Sequence, residues 1–191
     1  GILVQESKDF SADLILASAT QAASELSRSF YRMARYGSKA TMPTAVEIRQ
    51  VEEKGFTLTP LLMTDSTGTW NELETTNFIE DTARVNPAIG EIEKAYATML
   101  YLTRQINGKE QRVIVLGDAD CIGNGELSKQ RNGLDAKNFT LVTESFRLLS
   151  NGEFPVDTHR NYSSDRGVHL GQKAGIWINI LFMGMIPGIL V

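Results

Sequence analysis

The chain has 191 residues, 42% of them hydrophobic and 22% charged, and its 19 Lys+Arg against 23 Asp+Glu give a formal net charge of −4. These values exclude a disordered, collagen-like or coiled-coil chain. The mild acidity gives no support to a nucleic-acid partner, whose usual signature is a basic patch. One cysteine, Cys121, excludes an intrachain disulfide framework and a multi-cysteine zinc site.

In chain order, Asp13 to Ala17 is a short apolar run that reads as a buried strand. Ala19, Ala23, Leu26, Phe30, Met33 and Gly37 then recur at helical spacing, with Ser18 or Thr20 suited to cap the start and Gly37 to stop it. Arg28, Arg32 and Arg35 share the opposite side of that helix, either as a solvated face or as a basic stripe for a phosphate or an acidic partner. Thr41–Ile48 and Thr57–Met63 read as strands, and Pro43 and Pro60 suggest an edge or a strand end in each. The polar stretch from Thr64 to Asn86 is expected to be a long surface connection with at most one short helix.

The strongest strand signals are Ala97–Ile106 and Gln111–Leu116, joined through Asn107-Gly108, a favoured pair for a tight hairpin turn. Phe139, Val142, Phe146 and Leu149, at spacings of 3, 4 and 3, predict an amphipathic helix over 138–150 that Asn138 caps and Asn151-Gly152 ends. Strands mixed with helices point to an α/β layered domain over 1–153, with a sheet that is at least partly parallel. Residues 154–173 read as a polar linker. The last 18 residues carry 13 hydrophobic side chains and no charge; as a helix they would span about 27 Å, near the thickness of a bilayer core. We therefore expect a membrane helix to begin at 174–191, against the alternative of a buried C-terminal element. The opening on Gly1 suggests a piece of a longer protein whose sheet is incomplete at its N-terminal side.

The most distinctive stretch is Val113 to Gly125, an apolar strand running into a turn rich in glycine and aspartate, where open α/β sheets place their ligand crevice. Asp118 and Asp120, with Asn124 nearby, have the oxygen chemistry for a hard cation, although aspartates in such a turn more often accept backbone N–H bonds. Cys121 in the same turn raises a nucleophile reading, which needs a base; the available histidines are His159 and His169, both in the linker. No Gly-x-Ser-x-Gly elbow, Gly-x-Gly-x-x-Gly or Walker motif is present, so neither a serine hydrolase nor a nucleotide cofactor is expected. Asp65, Ser66 and Trp70 follow a strand directly; Trp70 is either a stacking surface for a sugar or peptide or a cover for the edge of the core.

Several of these stretches together resemble one family. Leu62-Met63-Thr64-Asp65-Ser66 leading to Thr69-Trp70-Asn71-Glu72, the strand from Lys109 into Gly117-Asp118-Ala119-Asp120, and Asn124-Gly125-Glu126-Leu127 are similar to segments of the gliding-motility-type (GldG-like) ABC transporter auxiliary proteins. Asn138-Phe139, Phe146 to Ser150 and Gly152 to Asp157 continue the likeness toward the apolar tail. The resemblance implies a flavodoxin-like or glutamine-amidotransferase-like layered sheet on the extracytoplasmic side of a cell membrane, attached to permease helices and served by a separate ATPase subunit. It carries no catalytic residues over. The leading expectation is a noncatalytic domain that binds substrate or a partner protein through Asp65, Ser66, Trp70, Asp118, Asp120 and Asn124, with no cofactor. The alternatives are a hydrolase or amidotransferase-like enzyme using Cys121 or a metal at Asp118 and Asp120, and a soluble structural scaffold.

Overall fold

The computed structural model describes residues 1–52, 54–74 and 83–154. Its longest elements are the two strongest strand signals. Here β6 denotes Ala97–Ile106 and β7 Lys109–Leu116, antiparallel from Ile106↔Lys109 to Met99↔Leu116. Asn107 and Gly108 both take positive φ, 51° and 74°, as the primed two-residue turn requires.

Three further strands extend this pair. β2 (Leu14–Ala19), β3 (Ala40–Pro43) and β4 (Thr57–Met63) complete a sheet in the order β3-β2-β4-β6-β7. Every pairing between these strands is antiparallel, which corrects the expectation of a partly parallel sheet. The chain between β2 and β3 turns back to pair beside the strand it left, rather than crossing over to lie parallel to it. A second, two-stranded sheet pairs β1 (Ile2–Gln5) with β5 (Thr69–Glu72). Both lie where no strand was expected, β5 within the stretch read as a surface connection. Among the described residues the result is a mixed α and β fold around a five-stranded antiparallel sheet.

The two prolines behave differently. Pro43 ends β3 at the edge of the sheet, as expected, and the chain leaves through Thr44 at φ 55°. The strand expected to run to Ile48 therefore stops five residues early. Pro60 lies within β4 but beyond the reach of β2, which pairs only with Leu62 and Met63, so at Pro60 that side of the strand is a local edge; the register with β6 slips just after it, between Pro60 and Leu62. The Pro60 carbonyl accepts from the Thr20 hydroxyl at 2.6 Å on that open side, where the ladder asks for no N–H from Pro60.

The expected single helix over 19–37 is two, α1 (Gln21–Leu26) and α2 (Arg28–Tyr36). Thr20 caps the first, as its side chain accepts from the Ala23 N–H, and Gly37 at φ 66° ends the second. Ser27 breaks the run with extended backbone angles, and its hydroxyl accepts from the N–H groups of Ser29 and Phe30, so α2 starts with its own cap. After the short helix α3 (Asn124–Leu127), α4 (Asn138–Leu149) lies where a helix was expected but presents a different face. Its buried residues are Asn138, Leu141, Glu144 and Leu148, whereas Phe139 and Phe146 are 67% and 60% exposed.

The cause is Glu144. Burial pushes its carboxyl up, but hydrogen bonds from Arg147, Ser27 and Ser29 outweigh that and hold it below the ordinary carboxylate range. A paired carboxylate is thus buried at the junction of α1 and α2, while Val142, Phe146 and Leu149 of the expected stripe line an open apolar recess with Ile114, Leu116 and Ile122. The core lies between the sheet and the helices and includes Ile15, Phe30, Met42, Leu61, Met99, Cys121 and Leu141. Among the described residues no helix is long and apolar enough to cross a membrane. The linker and the membrane helix expected at 154–173 and 174–191 lie, apart from Phe154, outside the described residues.

Candidate functional site

The register of the sheet brings the sequence-derived candidates to one end of it. β4 ends at Met63 opposite Ala97, and β7 ends at Leu116 opposite Met99, so the loops that follow both strands leave beside the start of β6. Thr64 donates its N–H to the Tyr96 carbonyl at 2.9 Å, and Gly117 donates to that of Thr98 at 2.8 Å, carrying the pairing into both loops. Gly117 is required there. A Cβ at that position would lie 2.3 Å from the Val46 carbonyl oxygen, which closes against it because the Val46 N–H donates to the Gly117 carbonyl at 2.9 Å.

Within the turn after β7 the two aspartates differ. Asp118 is buried, and one carboxylate oxygen accepts the Asp120 N–H at 2.8 Å, closing the turn. Its other oxygen has no hydrogen-bond partner among the described residues. Burial, chiefly, pushes the Asp118 carboxyl above its ordinary range, with the Asp120 and Glu126 charges adding to the effect and N–H bonds from Asp120 and Cys121 opposing it. Asp120 and Asn124 are exposed, and Asn124 opens α3. Among the described residues no three of His, Cys, Asp and Glu converge as a metal site would require.

Cys121 is fully buried, and its thiol donates to the Asp118 carbonyl at 3.1 Å. Burial and then the surrounding carboxylates push its pKa up to about 12. A nucleophilic cysteine has the reverse environment, exposed and cationic. His159 and His169 lie outside the described residues.

In the other loop, Asp65 and Ser66 are exposed, and Asp65 pairs with Lys39 at 3.2 Å. Lys39 also donates to the Ser18 hydroxyl at 2.7 Å, so this loop is tied to β2. Trp70 is only 2% exposed, and its indole N–H donates to Glu72 at 3.1 Å. Its ring is buried and offers no surface platform.

Beneath the turn lies a polar cluster that sequence reasoning missed. The Asn138 side chain donates to the carbonyls of Thr41 and Cys121, both at 2.7 Å, and accepts the Thr41 N–H at 2.9 Å. The Thr41 hydroxyl donates to Glu126, which is also gripped by Arg131, with one N–O distance of 3.0 Å. Burial alone would push the Glu126 carboxyl up, yet the hydrogen bonds from Arg131 and Thr41 hold it below its ordinary range. Asn138 is thus a bracket between β3 and the turn, not the helix cap expected of it; Lys137 occupies the cap position. Four such residues at 41, 126, 131 and 138 leave no local spacing to detect. No family model, curated protein or solved structure matches the chain.

Proposed function

We propose that the chain is a noncatalytic recognition domain, and that the end of the sheet bearing Asp65, Ser66, Asp120 and Asn124 is its contact surface. The observation that carries this reading is the contrast between that exposed polar rim and the hydrogen-bonded bracket of Thr41, Glu126, Arg131 and Asn138 beneath the turn after β7. A fixed support under exposed polar groups suits selective contact with a ligand or a protein. Asp118 and Trp70 are assigned to the support, since both are buried, Asp118 closes the turn through one carboxylate oxygen, and the Trp70 indole donates to Glu72.

The sequence resemblance supplies the context of this proposal: an extracytoplasmic domain of an ABC transporter membrane subunit, coupled to permease helices and a separate ATPase subunit. The flavodoxin-like or amidotransferase-like layering belongs to the same proposal, and it requires parallel strands beyond the antiparallel sheet of the described residues. The test is to isolate the full-length protein from its own cells by a mild affinity tag. Co-isolation of an ATPase subunit from the membrane fraction, reduced at least tenfold by Asp65→Ala with Asp120→Ala and Asn124→Ala, supports the reading. A protein recovered without any ATPase, or association indifferent to those substitutions, overturns it.

A further inference from the structure

The outer side of α2 is basic in a chain of net charge −4. Arg28, Arg32 and Arg35 stand at i, i+4 and i+7, so they share one face over about 10 Å of helix. All three are exposed, and none pairs with a carboxylate among the described residues. The nearest acidic side chain in sequence, Glu25, accepts from Gln21 instead. Tyr31 and Tyr36 on the same helix are 47% and 73% exposed, and Tyr31 accepts a hydrogen bond from Arg35 at 3.3 Å.

Arg35 in the last turn suits the helix dipole, but the folding of α2 does not account for Arg28 and Arg32. Arg28 occupies the first helical position, where the helix dipole favours an acid. Arg28 and Arg32 form a like-charge i, i+4 pair, which weakens a helix by a few tenths of a kcal/mol. Beside Arg32, α2 and the start of α4 enclose a cavity of about 340 Å³, lined by Ser29, Tyr36, Lys137 and Thr140 among others. Asp135 also lines it, but its charge is already met by Lys137 and by the Ser38 hydroxyl, each at 2.6 Å.

We propose that this face of α2, with its cavity, docks an acidic segment of a partner protein. The carboxylates of the segment meet the three guanidiniums, whose paired N–H groups match a carboxylate's two oxygens, and one of its side chains enters the cavity beside Tyr36. The length of the stripe favours a run of acidic residues over a single phosphate, which would leave part of the stripe unmatched. The recess favours a peptide over the flat headgroup layer of a membrane. This surface is distinct from the rim of Asp65, Ser66, Asp120 and Asn124, and the inference does not depend on the transporter reading.

The probe is fluorescein-labelled hexaglutamate, titrated by anisotropy against the full 191-residue chain. Saturable binding is expected, weakening at least tenfold between 50 and 300 mM NaCl. The combined Arg28→Gln, Arg32→Gln, Arg35→Gln variant should lose at least tenfold in affinity, and Arg32→Glu alone a comparable amount. A variant with the same charge change elsewhere, Lys8→Gln with Lys109→Gln and Lys129→Gln, should bind as the parent does. The substituted side chains are all exposed, so melting curves should superimpose and separate lost binding from lost folding. Absence of binding, or equal loss in the lysine variant, overturns the proposal. So does displacement by equimolar inorganic phosphate, which makes this a phosphate site. Capture by phosphatidylglycerol vesicles without hexaglutamate binding also overturns it, and marks a lipid-facing surface.

Discussion

Asn138 and Thr41, 97 residues apart, hold each other through two backbone contacts: the Asn138 side chain accepts the Thr41 N–H at 2.9 Å and donates to its carbonyl at 2.7 Å, while the Thr41 hydroxyl donates to Glu126. Both residues are buried, so no water stands ready to replace a lost partner. Asn138→Ala strands polar groups of Thr41 and the carbonyl of Cys121, each at a cost of about 1–3 kcal/mol. We expect a total destabilisation of about 3 kcal/mol, read as a shift of the urea midpoint. A loss below 1 kcal/mol would show that the bracket does not anchor the turn.

Arg131 matters through Glu126. Removing the guanidinium leaves a buried carboxylate with the Thr41 hydroxyl and the Lys129 charge as its remaining support, a loss of about 3–5 kcal/mol. In the parent protein the Glu126 carboxyl is held below its ordinary 4.5, so its contribution is present above that pH and is lost as pH falls through the lower folded value. In Arg131→Met, burial acts unopposed by the guanidinium, and the carboxyl is protonated more readily. The deficit of the variant relative to the parent should therefore be largest near pH 7 and narrow toward pH 4. Urea titrations at the two pH values test this.

Asp118 has the opposite sign. Its carboxyl is raised above 3.8, so the folded state holds the proton more tightly than the unfolded chain does. Its ionisation therefore subtracts stability as pH rises from 3.8 through the folded value. Relative to the parent, Asp118→Asn should gain stability between pH 3.5 and 7. A flat or falling difference would mean that the carboxylate is well solvated after all.

The Cys121 thiol, with a pKa pushed up to about 12, is a thiolate in about one molecule in ten thousand at pH 8. It is also fully buried. Native protein mixed with an aromatic disulfide reagent at pH 8 should show no reaction over minutes, and one equivalent should react once urea is added. Rapid labelling of the native chain would reopen the nucleophile reading.

What was legible in the sequence was local. The β6–β7 hairpin follows from alternation and Asn107-Gly108, and the ends of the α1–α2 region from Thr20 and Gly37. The break at Ser27 was hidden because Ala23, Leu26 and Phe30 keep helical spacing across it, and only the angles at Ser27 reveal a second cap. The face of α4 was misjudged for a non-local reason: Glu144 is buried because Ser27 and Ser29, from another part of the chain, bond to it. The candidate site divided in the same way. Spacing located the turn at Asp118 and Asp120, but only the register of β4, β6 and β7 set it at the same end of the sheet as Asp65 and Ser66. Burial alone withdrew Trp70 from the surface.

The two sheets differ in how much chain must be gathered to make them. The β6–β7 pair closes across the two residues of its turn, whereas pairing Ile2 with Glu72 brings together the ends of a segment of about seventy residues. Loop closure of that length costs about 3 kcal/mol more than closing a tight turn, and the β1–β5 pair has only four residues on each side to offset it. Assembly should begin at the hairpin and finish at β1, and β1 should open more readily than the hairpin does. In deuterated buffer the amides of β1 and β5 should exchange well before those of β6. The N-terminal strand then acts as a late-fastened clasp, and Leu3 is the part of it that seats in the core.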